Sequence, residues 1–459
     1  MDDLMIGVSG VRGVIGKTLT PELVTRFAMA FGTYLHGGTV LVGRDTRVSG
    51  AMVKHSVFAG LMATGCQIID LDVATTPSCS LSIVELGADG GIVISGSHNP
   101  VEWNALKLFR SDGICLNVEQ GKELLDIYYQ GSFRQAPWHA LKADKQDFNA
   151  GQRHMKKVLA NTDVDMIRRR APKVVLDSCN GAGAIITPKL LRAMGCEVVK
   201  VHCEPNGLFP HNPEPIFINL GDLCEKVKEA GADIGFAQDA DADRLAIVDE
   251  RGNFLGEEYT LALATLQILE HHKGPVVANL STSRMVDDVA KSFGCEVVRT
   301  PVGEANVAER MKTVGAVIGG EGNGGVIYPE VHYGRDSLSG MAIVLQLLAS
   351  RGKKISEIAG EIPAYQMRKV KIDCTRDVAL KLVKEIERRN AGERLNTEDG
   401  IRIDWEDAWL HVRPSGTEPA VRIIGEAATA ERIDGLVKEY QGLATEILKA
   451  NGQKKEGQA

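Results

Sequence analysis

Short β-branched apolar runs alternate with longer amphipathic stretches between residue 39 and about residue 350. Three such runs lie at residues 39–43, 173–177 and 275–279, and a helical pattern of apolar positions follows each of them. Apolar runs of this length, separated by helices, are typical of parallel strands in α/β domains. The pattern therefore predicts an α/β architecture with largely parallel sheets.

Three predicted helices end in a Gly-Cys pair that leads directly into a β-branched strand. The glycines are Gly65, Gly195 and Gly294, spaced 130 and 99 residues apart. A glycine just past a helix end commonly adopts the left-handed conformation that caps the helix. The recurrence suggests three related α/β units, although a helix-Gly-strand transition is also common in unrelated α/β proteins.

The pattern changes after about residue 365. Apparent strands at residues 366–372, 401–403, 408–412 and 421–426 are interleaved with helical stretches at 377–389 and 430–449. This mixture predicts a smaller α+β domain. The expected division of the chain is 1–150, 151–256 and 257–365 for three α/β domains, 366–450 for the α+β domain, and 451–459 for a flexible tail.

Composition and charge exclude several classes of protein. The chain has 459 residues, of which 44% are hydrophobic and 25% charged, and its formal net charge is -7 without a basic stripe. This balance argues against a nucleic-acid partner. No basic, apolar leader and no run of about 18 apolar residues occurs, so we expect a cytoplasmic protein without a membrane partner. Nine scattered cysteines without a C-x-x-C pair indicate reduced core thiols rather than disulfides or a zinc site.

The sharpest candidate site is an acidic loop between two apolar runs. Asp239, Asp241 and Asp243 alternate with alanines, and Arg244 follows. Three carboxylates so close together repel one another unless a cation lies among them, and Mg²⁺ prefers such oxygen ligands. Arg244 would then face a phosphate or fix a carboxylate. The alternative is an acidic surface turn, which the apolar flanks disfavour.

A second candidate follows the apolar strand at residues 91–94. The segment 95–100 reads Ser-Gly-Ser-His-Asn-Pro, and Ser97 is a candidate nucleophile or phosphate carrier. Lys107, ten residues later, is a candidate cation or general base. Read alone, the serine loop also fits a plain turn, and the lysine also fits a solvated surface charge.

Two further loops suggest ligand binding. Arg413-Pro-Ser-Gly-Thr-Glu-Pro, with Arg422 three residues beyond it, combines hydroxyls, a glycine and two guanidinium groups, which suits a phosphate that is not transferred. The alternative is an ordinary hairpin. The glycine-rich segment 319–325 contains Glu321 and Asn323, whose acceptor and donor groups suit sugar hydroxyls, although a mobile loop has the same composition.

The segment at residues 10–18 ends like a P-loop, but Val11 stands where that motif requires glycine. Arg12 in this segment is either a phosphate contact or a solvated arginine. In the segment 43–47, Arg-Asp-Thr-Arg after a strand favours an internal Asp–Arg ion pair that staples the loop.

Taken in chain order, the serine loop, the triple-aspartate loop, the Glu321 loop and the Arg413 loop resemble the α-D-phosphohexomutase superfamily over essentially the whole chain. The resemblance implies three related α/β domains and a C-terminal α+β domain around a central cleft. It also implies a role for each residue at a matching position. The roles are catalysis for Ser97, His98, Lys107 and Arg12; metal binding for Ser97, Asp239, Asp241 and Asp243; and substrate binding for Arg244, Glu321, Asn323, Arg413, Ser415, Gly416, Thr417 and Arg422.

The implied reaction transfers phosphate from phosphoserine at Ser97 to a hexose monophosphate, giving a 1,6-bisphosphate that turns over and returns its other phosphate. The implied cofactors are Mg²⁺, phosphoserine at Ser97 and hexose 1,6-bisphosphate as activator, and the implied partner is a hexose phosphate bound by a monomer or homodimer. The opening segment and the Glu321 loop look most like phosphoglucosamine mutases, with phosphomannomutase/phosphoglucomutase as the alternative. A Mg²⁺-dependent sugar phosphatase and a non-catalytic sugar-phosphate sensor are more distant alternatives.

The chain departs from the family pattern at small residues. Ser95-Gly96 replaces the usual Thr-Ala, Ala240 replaces a glycine in the acidic loop, and Ala105 replaces another after Asn104. Ala240 would be strained if its position required a positive φ. Ser95 is a second hydroxyl near Ser97, but the Ser-His-Asn-Pro match falls on Ser97.

Overall fold

The computed structural model describes residues 4–7, 10–415 and 419–450. The chain forms four units, each built on one β-sheet. Helices pack against mixed sheets in the first three units, and two long helices cover an antiparallel sheet in the fourth. The prediction of three α/β units followed by an α+β unit is confirmed.

The first unit holds a seven-stranded sheet. Its strands are β1 (Leu4–Gly7), β2 (Gly10–Val14), β3 (Thr39–Arg44), β4 (Gln67–Val73), β5 (Gly90–Ile94), β6 (Trp103–Arg110) and β7 (Lys145–Gln146), in the spatial order β1-β2-β6-β5-β3-β4-β7. Its helices are α1 (Pro21–Tyr34), α2 (Gly50–Ala63), α3 (Thr76–Glu85) and α4 (Val118–Gln130), and α5 (Ala150–Ala160) leads out of it.

This sheet is less parallel than the sequence predicts. Strands β3, β4, β5 and β7 pair in parallel, but β1, β2 and β6 form antiparallel pairs. The connection from β5 to β6 covers only residues 95–102. A parallel crossover needs a dozen or more residues, so this short loop forces an antiparallel return.

The second and third units repeat one arrangement. The second contains α6 (Val164–Arg170), β8 (Lys173–Asp177), α7 (Gly183–Ala193), β9 (Glu197–Val201), α8 (Gly221–Ala230), β10 (Ile234–Gln238) and β11 (Leu245–Val248). The third contains α9 (Glu257–His271), β12 (Val276–Asn279), α10 (Met285–Ser292), β13 (Val297–Thr300), α11 (Glu304–Val314), β14 (Ile318–Glu321), β15 (Gly325–Ile327), α12 (Ser337–Arg351) and α13 (Ile355–Ala359). Their sheet orders are β11-β10-β8-β9 and β13-β12-β14-β15.

The same four-strand motif recurs in all three α/β units. In each, a first strand lies between two parallel neighbours, and a fourth strand returns antiparallel to the later neighbour. The helix before the second strand is followed, two residues after its end, by Gly65, Gly195 or Gly294, whose φ angles are 82°, 86° and 71°. These left-handed glycines follow the cap residue of α2, α7 and α10, as the Gly-Cys pattern predicts.

The fourth unit is a five-stranded antiparallel sheet in the order β16-β20-β19-β18-β17. Its elements are β16 (Gln366–Asp373), α14 (Arg376–Arg389), β17 (Arg394–Asn396), β18 (Ile401–Asp404), β19 (Ala408–Pro414), β20 (Ala420–Ala427) and α15 (Ala430–Ala450). Apart from β17, these elements agree with the predicted ones to within one or two residues.

The units differ in how they share apolar cores. One cluster of buried side chains joins the second and third units, and a smaller one packs Ile114 of the first unit against the third. The first and fourth units each have a main core of their own. All nine cysteines are free, and seven are buried. Within the described ranges no helix combines the length and apolar composition needed to cross a bilayer.

Candidate active site

Three of the predicted functional loops occupy equivalent places in the repeated motif. The Ser97 loop joins β5 to β6, the acidic loop joins β10 to β11, and the Glu321 loop joins β14 to β15. Each loop therefore follows a parallel strand at its carboxyl end, where open α/β sheets bind ligands. The internal repeat and the candidate chemistry are thus two aspects of one topology.

The acidic loop holds three fully buried carboxylates. Oxygens of Asp239, Asp241 and Asp243 lie within 4.8 Å of one another. Asp239 Oδ1 accepts the backbone N–H groups of Asp243 and Arg244 at 3.1 and 3.2 Å. Asp241 Oδ1 and Asp243 Oδ1 are buried, and neither has a hydrogen-bond partner among the described residues. Unpartnered anionic oxygens in a cluster of hard ligands fit a divalent cation.

The charges in this loop oppose one another. Burial raises the pKa of Asp239 well above its usual range, and the neighbouring carboxylates of Asp243 and Asp241 raise it further. Burial also opposes ionisation of Asp243, but Arg335 and Lys107 outweigh it and hold the pKa of that carboxyl below its usual range. A cation among the three carboxylates would relieve this repulsion.

The backbone conformation of the acidic loop shows whether Ala240 is strained. Ala240 has no positive φ; the left-handed residue is Ala242, with φ of 61°. The condition for strain at Ala240, a positive φ, is therefore not met.

Ser97 bridges the first and second units. Its φ is 48°, and its Oγ donates a hydrogen bond to Asp239 Oδ2 at 2.7 Å. Ser95, the other hydroxyl of the loop, donates instead to Asp45 Oδ2 at 2.7 Å and accepts the N–H of Ser97 at 2.8 Å. Ser97 thus faces the acidic loop, whereas Ser95 stabilises the backbone that presents it.

A buried arginine holds the serine loop in place. Arg47 pairs through Nε with Asp45 Oδ2 at 3.0 Å, so the predicted Asp–Arg staple is present. Its Nη2 also donates to the carbonyls of Ser97 and Asn99, both at 2.7 Å, and its Nη1 donates to that of Pro100 at 2.6 Å. The sequence did not reveal this support, because Arg47 and the serine loop are fifty residues apart.

Lys107 and His98 complete the surroundings of Ser97. Lys107 Nζ lies 2.6 Å from Asp241 Oδ2 and 2.9 Å from Asp243 Oδ2. Burial opposes its charge, but the pKa of Lys107 is raised because these two carboxylates outweigh burial. His98 Nδ1 lies 3.4 Å from Ser97 Oγ. Burial, together with Arg244 and Arg12, lowers the pKa of His98 well below its ordinary value, so the imidazole is neutral.

Two arginines approach this site from different units. Arg12 lies on β2, and burial and the positive charge of Arg244 both lower its pKa. The Nε of Arg244 is buried, has no hydrogen-bond partner within the part of the chain that the structure describes, and lies 3.9 Å from Asp243 Oδ1. Two partly desolvated guanidinium groups that repel each other provide a site for an anion such as phosphate.

The Glu321 loop is fixed by protein contacts. Glu321 Oε1 accepts Asn279 Nδ2 at 2.8 Å and the N–H of Gly303 at 3.1 Å. Its Oε2 pairs with Arg335 Nη1 at 2.9 Å. Asn323 Oδ1 accepts the N–H of Gly325 at 3.3 Å, which closes the tight turn.

Arg335 and Thr76 are residues of the site that sequence reasoning missed. Arg335 joins the second and third units, because its Nη2 lies 2.7 Å from Asp243 Oδ2 and its Nη1 holds Glu321. Thr76, at the start of α3, donates its hydroxyl to Asp241 Oδ2 and its N–H to the Asp241 carbonyl. Arg335 lies just before α12, and Thr76 lies in the first turn of α3. A position near the start of a helix was the only signal in the sequence that could have pointed to either residue.

The predicted phosphate loop of the fourth unit is described in part. Arg413 and Arg422 face each other across β19 and β20, and Arg413 Nε lies 2.8 Å from Asp399 Oδ2. The N–H of Ser415 donates to the Ala420 carbonyl at 2.7 Å. Gly416 and Thr417 lie outside the described residues, so the predicted anion nest stays a prediction.

Comparison with known proteins places this site in a family. Four family models match consecutive parts of the chain: "Phosphoglucomutase/phosphomannomutase, alpha/beta/alpha" domains I, II and III match residues 3–135, 152–252 and 256–365, and the family's C-terminal domain matches 369–441.

Full-length relatives agree with these matches. A phosphoglucomutase/phosphomannomutase of Thermococcus kodakarensis is 39% identical over 97% of this chain and 98% of its own length. A probable phosphoglucosamine mutase of Methanopyrus kandleri is 40% identical over 95% of this chain and 96% of its own. A solved phosphoglucomutase/phosphomannomutase family protein of Burkholderia thailandensis superposes with a TM-score of 0.84 at 26% identity, covering 98% of both chains. The chain therefore belongs to the phosphoglucomutase/phosphomannomutase family, within the α-D-phosphohexomutase superfamily.

Proposed function

We propose that this protein interconverts hexose 6-phosphate and hexose 1-phosphate through a phosphoserine at Ser97 and a hexose 1,6-bisphosphate, with glucosamine phosphate as the preferred substrate. The observation that carries the proposal is the hydrogen bond of Ser97 Oγ to Asp239, within a buried triad of carboxylates. A serine in this position would place a phosphoryl group against a cation site.

Asp239, Asp241 and Asp243 would hold the metal ion, together with an oxygen of phosphorylated Ser97. Mg²⁺ suits this all-oxygen set, and when bound it neutralises charge on the phosphoryl group in the transition state. The two buried oxygens without partners support this assignment. Lys107 bonds to two of the three carboxylates and thereby orients them.

The chain's own residues provide the remaining chemistry. The oxygen of the attacking sugar hydroxyl forms a new P–O bond and gives up its proton, while the bond from phosphorus to Ser97 Oγ breaks and Ser97 Oγ takes up a proton in exchange. Neutral His98, 3.4 Å from that oxygen, is suited to relay the proton. Arg12 and Arg244 would stabilise the phosphoryl oxygens, because loose phosphoryl transition states depend on positioning and positive charge.

Two orientations of the bisphosphate must fit one site. Arg413, Ser415, Gly416, Thr417 and Arg422 would hold whichever phosphate is not reacting. Glu321 and Asn323 would contact the sugar hydroxyls between the two phosphates. In this proposal the units at 1–150, 151–256, 257–365 and 366–450 supply the phosphoserine, metal, sugar and phosphate loops respectively.

The substrate preference rests on relatives rather than on Glu321. Arg335 lies 2.9 Å from Glu321 Oε2 and offsets its negative charge. The carboxylate is therefore suited to accept hydrogen bonds from neutral hydroxyls and gives no preference for a 2-ammonium group. Glucosamine phosphate is favoured because the Methanopyrus relative has the name probable phosphoglucosamine mutase; mannose and glucose phosphates are the alternative.

Phosphorus NMR tests the proposal. The protein is incubated with Mg²⁺, a trace of hexose 1,6-bisphosphate, and in turn the 6-phosphates of glucosamine, mannose and glucose. We expect a sugar 1-phosphate signal, fastest with glucosamine 6-phosphate, and none with Ser97→Ala. Ser95→Ala is the matched control, and it should keep a measurable rate because Ser95 only supports the loop.

The other outcomes identify the alternatives. Inorganic phosphate as the only product would indicate a sugar phosphatase. Binding of hexose phosphate without turnover, by protein that carries phosphate on Ser97, would indicate a sensor. A faster reaction with mannose or glucose 6-phosphate would keep the mutase and replace the substrate.

A further inference from the structure

A second group of metal-ligating side chains lies in the second unit, on the loops that follow β8 and β9. Asp177 is the last residue of β8, His202 follows β9, and His211 lies nine residues beyond it. Ring nitrogens of the two histidines and a carboxylate oxygen of Asp177 lie within 4.8 Å of one another. The mechanism proposed above uses none of these three residues.

In each imidazole, one ring nitrogen is hydrogen-bonded to a carbonyl or carboxylate outside this group of three residues, which orients the ring. His211 Nδ1 lies 2.8 Å from the Asn212 carbonyl and its Nε2 lies 3.1 Å from Asp177 Oδ2, so both ring nitrogens donate to oxygen acceptors when no metal is bound. His202 Nε2 lies 2.9 Å from Asp222 Oδ2, which leaves its Nδ1 for another partner. Metal-binding histidines almost always donate their other ring N–H to a carbonyl or carboxylate in this way.

Asp177 is held in the same manner. Its Oδ1 accepts the N–H of Cys179 at 2.8 Å, while its Oδ2 faces His211. The thiol of Cys179 is fully buried, and its Sγ lies 3.9 Å from His211 Nδ1. The side chains of His202 and His211 are 23% and 15% exposed, which gives an ion a path from solvent.

We propose that Asp177, His202 and His211 form a binding site for a transition-metal ion of the Zn²⁺ class, with water completing the coordination. Two imidazoles and one carboxylate suit Zn²⁺ or Co²⁺, whereas the three carboxylates of the acidic loop suit Mg²⁺. The ion takes the place of the proton on Nε2 of His211. The site goes beyond the phosphohexomutase reaction and does not depend on it.

The loop that carries His211 also touches the support of the serine loop. The guanidinium of Arg47 stacks on the ring of Phe209 at 4.8 Å, and Thr46 donates its hydroxyl to the Asn180 carbonyl at 2.9 Å. An ion held between β8 and this loop would therefore fix one side of the contact between the first and second units.

Titration with Co²⁺ tests the site. The full-length protein is first saturated with Mg²⁺, and Co²⁺ binding is followed by its visible absorption bands. We expect one equivalent of Co²⁺ to bind, with Zn²⁺ displacing it. His202→Asn should weaken Co²⁺ binding by about tenfold or more. Asparagine suits this position because His202 has a left-handed φ of 46°, which asparagine tolerates.

Control variants separate this site from others. His139→Asn, on an exposed turn, should leave the titration unchanged, and His211→Gln should reproduce the loss if His202→Asn does not fold. Circular dichroism checks the fold of each variant. Full retention of the bands in folded His202→Asn, no Co²⁺ binding by the Mg²⁺-saturated protein, or a loss seen with Asp243→Asn instead would each overturn the proposal.

Discussion

Arg335 contacts carboxylates of both the second and the third unit. Its guanidinium contacts Asp243 and Glu321, and its Nε lies 3.4 Å from Glu304 Oε2. Removing one partner of a buried ion pair costs about 3–5 kcal/mol, because the other charge is left uncompensated. Loss of the Arg335 guanidinium also removes its contacts with both the acidic loop and the Glu321 loop. A substitution of Arg335 should therefore affect both stability and catalysis.

We therefore expect Arg335→Gln to lower kcat by about 100-fold or more, with a smaller rise in KM. Arg335→Lys should recover part of the rate, because a lysine retains the charge but cannot contact both carboxylates through a planar fork. Steady-state kinetics of the mutase reaction measures the split. A rise in KM with kcat unchanged in both variants would show that Arg335 serves substrate binding only.

Glu258 provides a pH-dependent prediction at the same scale. Burial raises its pKa to about 8 from an ordinary value of 4.5. Its Oε1 is buried, lies 3.7 Å from Lys369 Nζ and has no hydrogen-bond partner in residues 4–7, 10–415 and 419–450, and its Oε2 accepts the N–H of Ser283 at 3.0 Å. Between these two pKa values the unfolded chain loses a proton that the folded chain retains, so the wild type loses stability as pH rises, by at most about 5 kcal/mol.

Glu258→Gln removes the titratable carboxyl group, because an amide does not ionise in this pH range. The free energy of unfolding of the variant, relative to that of the wild type, should rise from pH 4.5 to 8 and then stay level. Urea unfolding at several pH values measures the difference. The exposed Glu119→Gln control should stay within about 0.5 kcal/mol throughout. A difference independent of pH would mean that Glu258 is ionised in the folded protein.

The serine loop shows how one arginine determines the shape of a whole element. Arg47 donates to three carbonyls between Ser97 and Pro100 and also pairs with Asp45, and the single ammonium nitrogen of a lysine cannot contact all four acceptors at once. We expect Arg47→Lys to lower the melting temperature and to slow phosphorylation of Ser97 by about tenfold or more, because the nucleophile is no longer held in its left-handed conformation.

Intact-mass measurement after incubation with hexose 1,6-bisphosphate follows this phosphorylation. Arg44→Lys is the control; Arg44 pairs with Asp72 at 3.0 Å and makes no contact with the serine loop among the bonds described here. Phosphorylation of Arg47→Lys at the wild-type rate would show that the loop keeps its shape without the arginine.

Elements were predictable where one residue type decides the local conformation. The capping glycines at 65, 195 and 294 marked the ends of three helices, and the apolar runs marked most strands. Strand β17 was missed because three residues with polar ends, Arg394–Asn396, carry no period. The antiparallel returns of β6, β11 and β15 were missed because the pattern of apolar residues does not record strand direction.

Contacts between units could not be predicted from the sequence, for a different reason. Ser97 and Asp239 are 142 residues apart, and nothing local to either predicts their hydrogen bond. Family resemblance brought the two loops together, whereas Arg335 and Thr76, which no quoted motif contains, appeared only with the structure. Ala240 has no positive φ. Its φ depends on how the loop closes, through Asp239 Oδ1, and not on residue type alone, so the sequence could not show whether this position is strained.

At the scale of the whole molecule, a buried cluster joins the first three units. Asp336 Oδ1 caps α12, and its Oδ2 lies 2.9 Å from His154 Nε2 on α5. His154 Nδ1 in turn lies 3.0 Å from the Ser78 hydroxyl on α3. Burial opposes ionisation of Asp336, but His154 outweighs it and keeps the pKa of this carboxyl below its usual range. The cluster therefore links α3 of the first unit to α12 of the third through one charged residue.

Asp336→Asn tests this link while keeping the helix cap, since asparagine caps helices as well as aspartate. The variant leaves His154 without its carboxylate, so we expect the free energy of unfolding at pH 7 to fall by about 3 kcal/mol. Asp165→Asn is the control; its ion pair with Arg168 is mostly exposed, and its loss should cost less than about 1 kcal/mol. Equal losses in the two variants would show that the charge of Asp336 contributes no more to stability than an exposed ion pair does. A larger loss in Asp336→Asn would show that this buried charge helps to hold α3 of the first unit and α12 of the third together, next to Ser337, whose hydroxyl donates to the Ala242 carbonyl of the acidic loop.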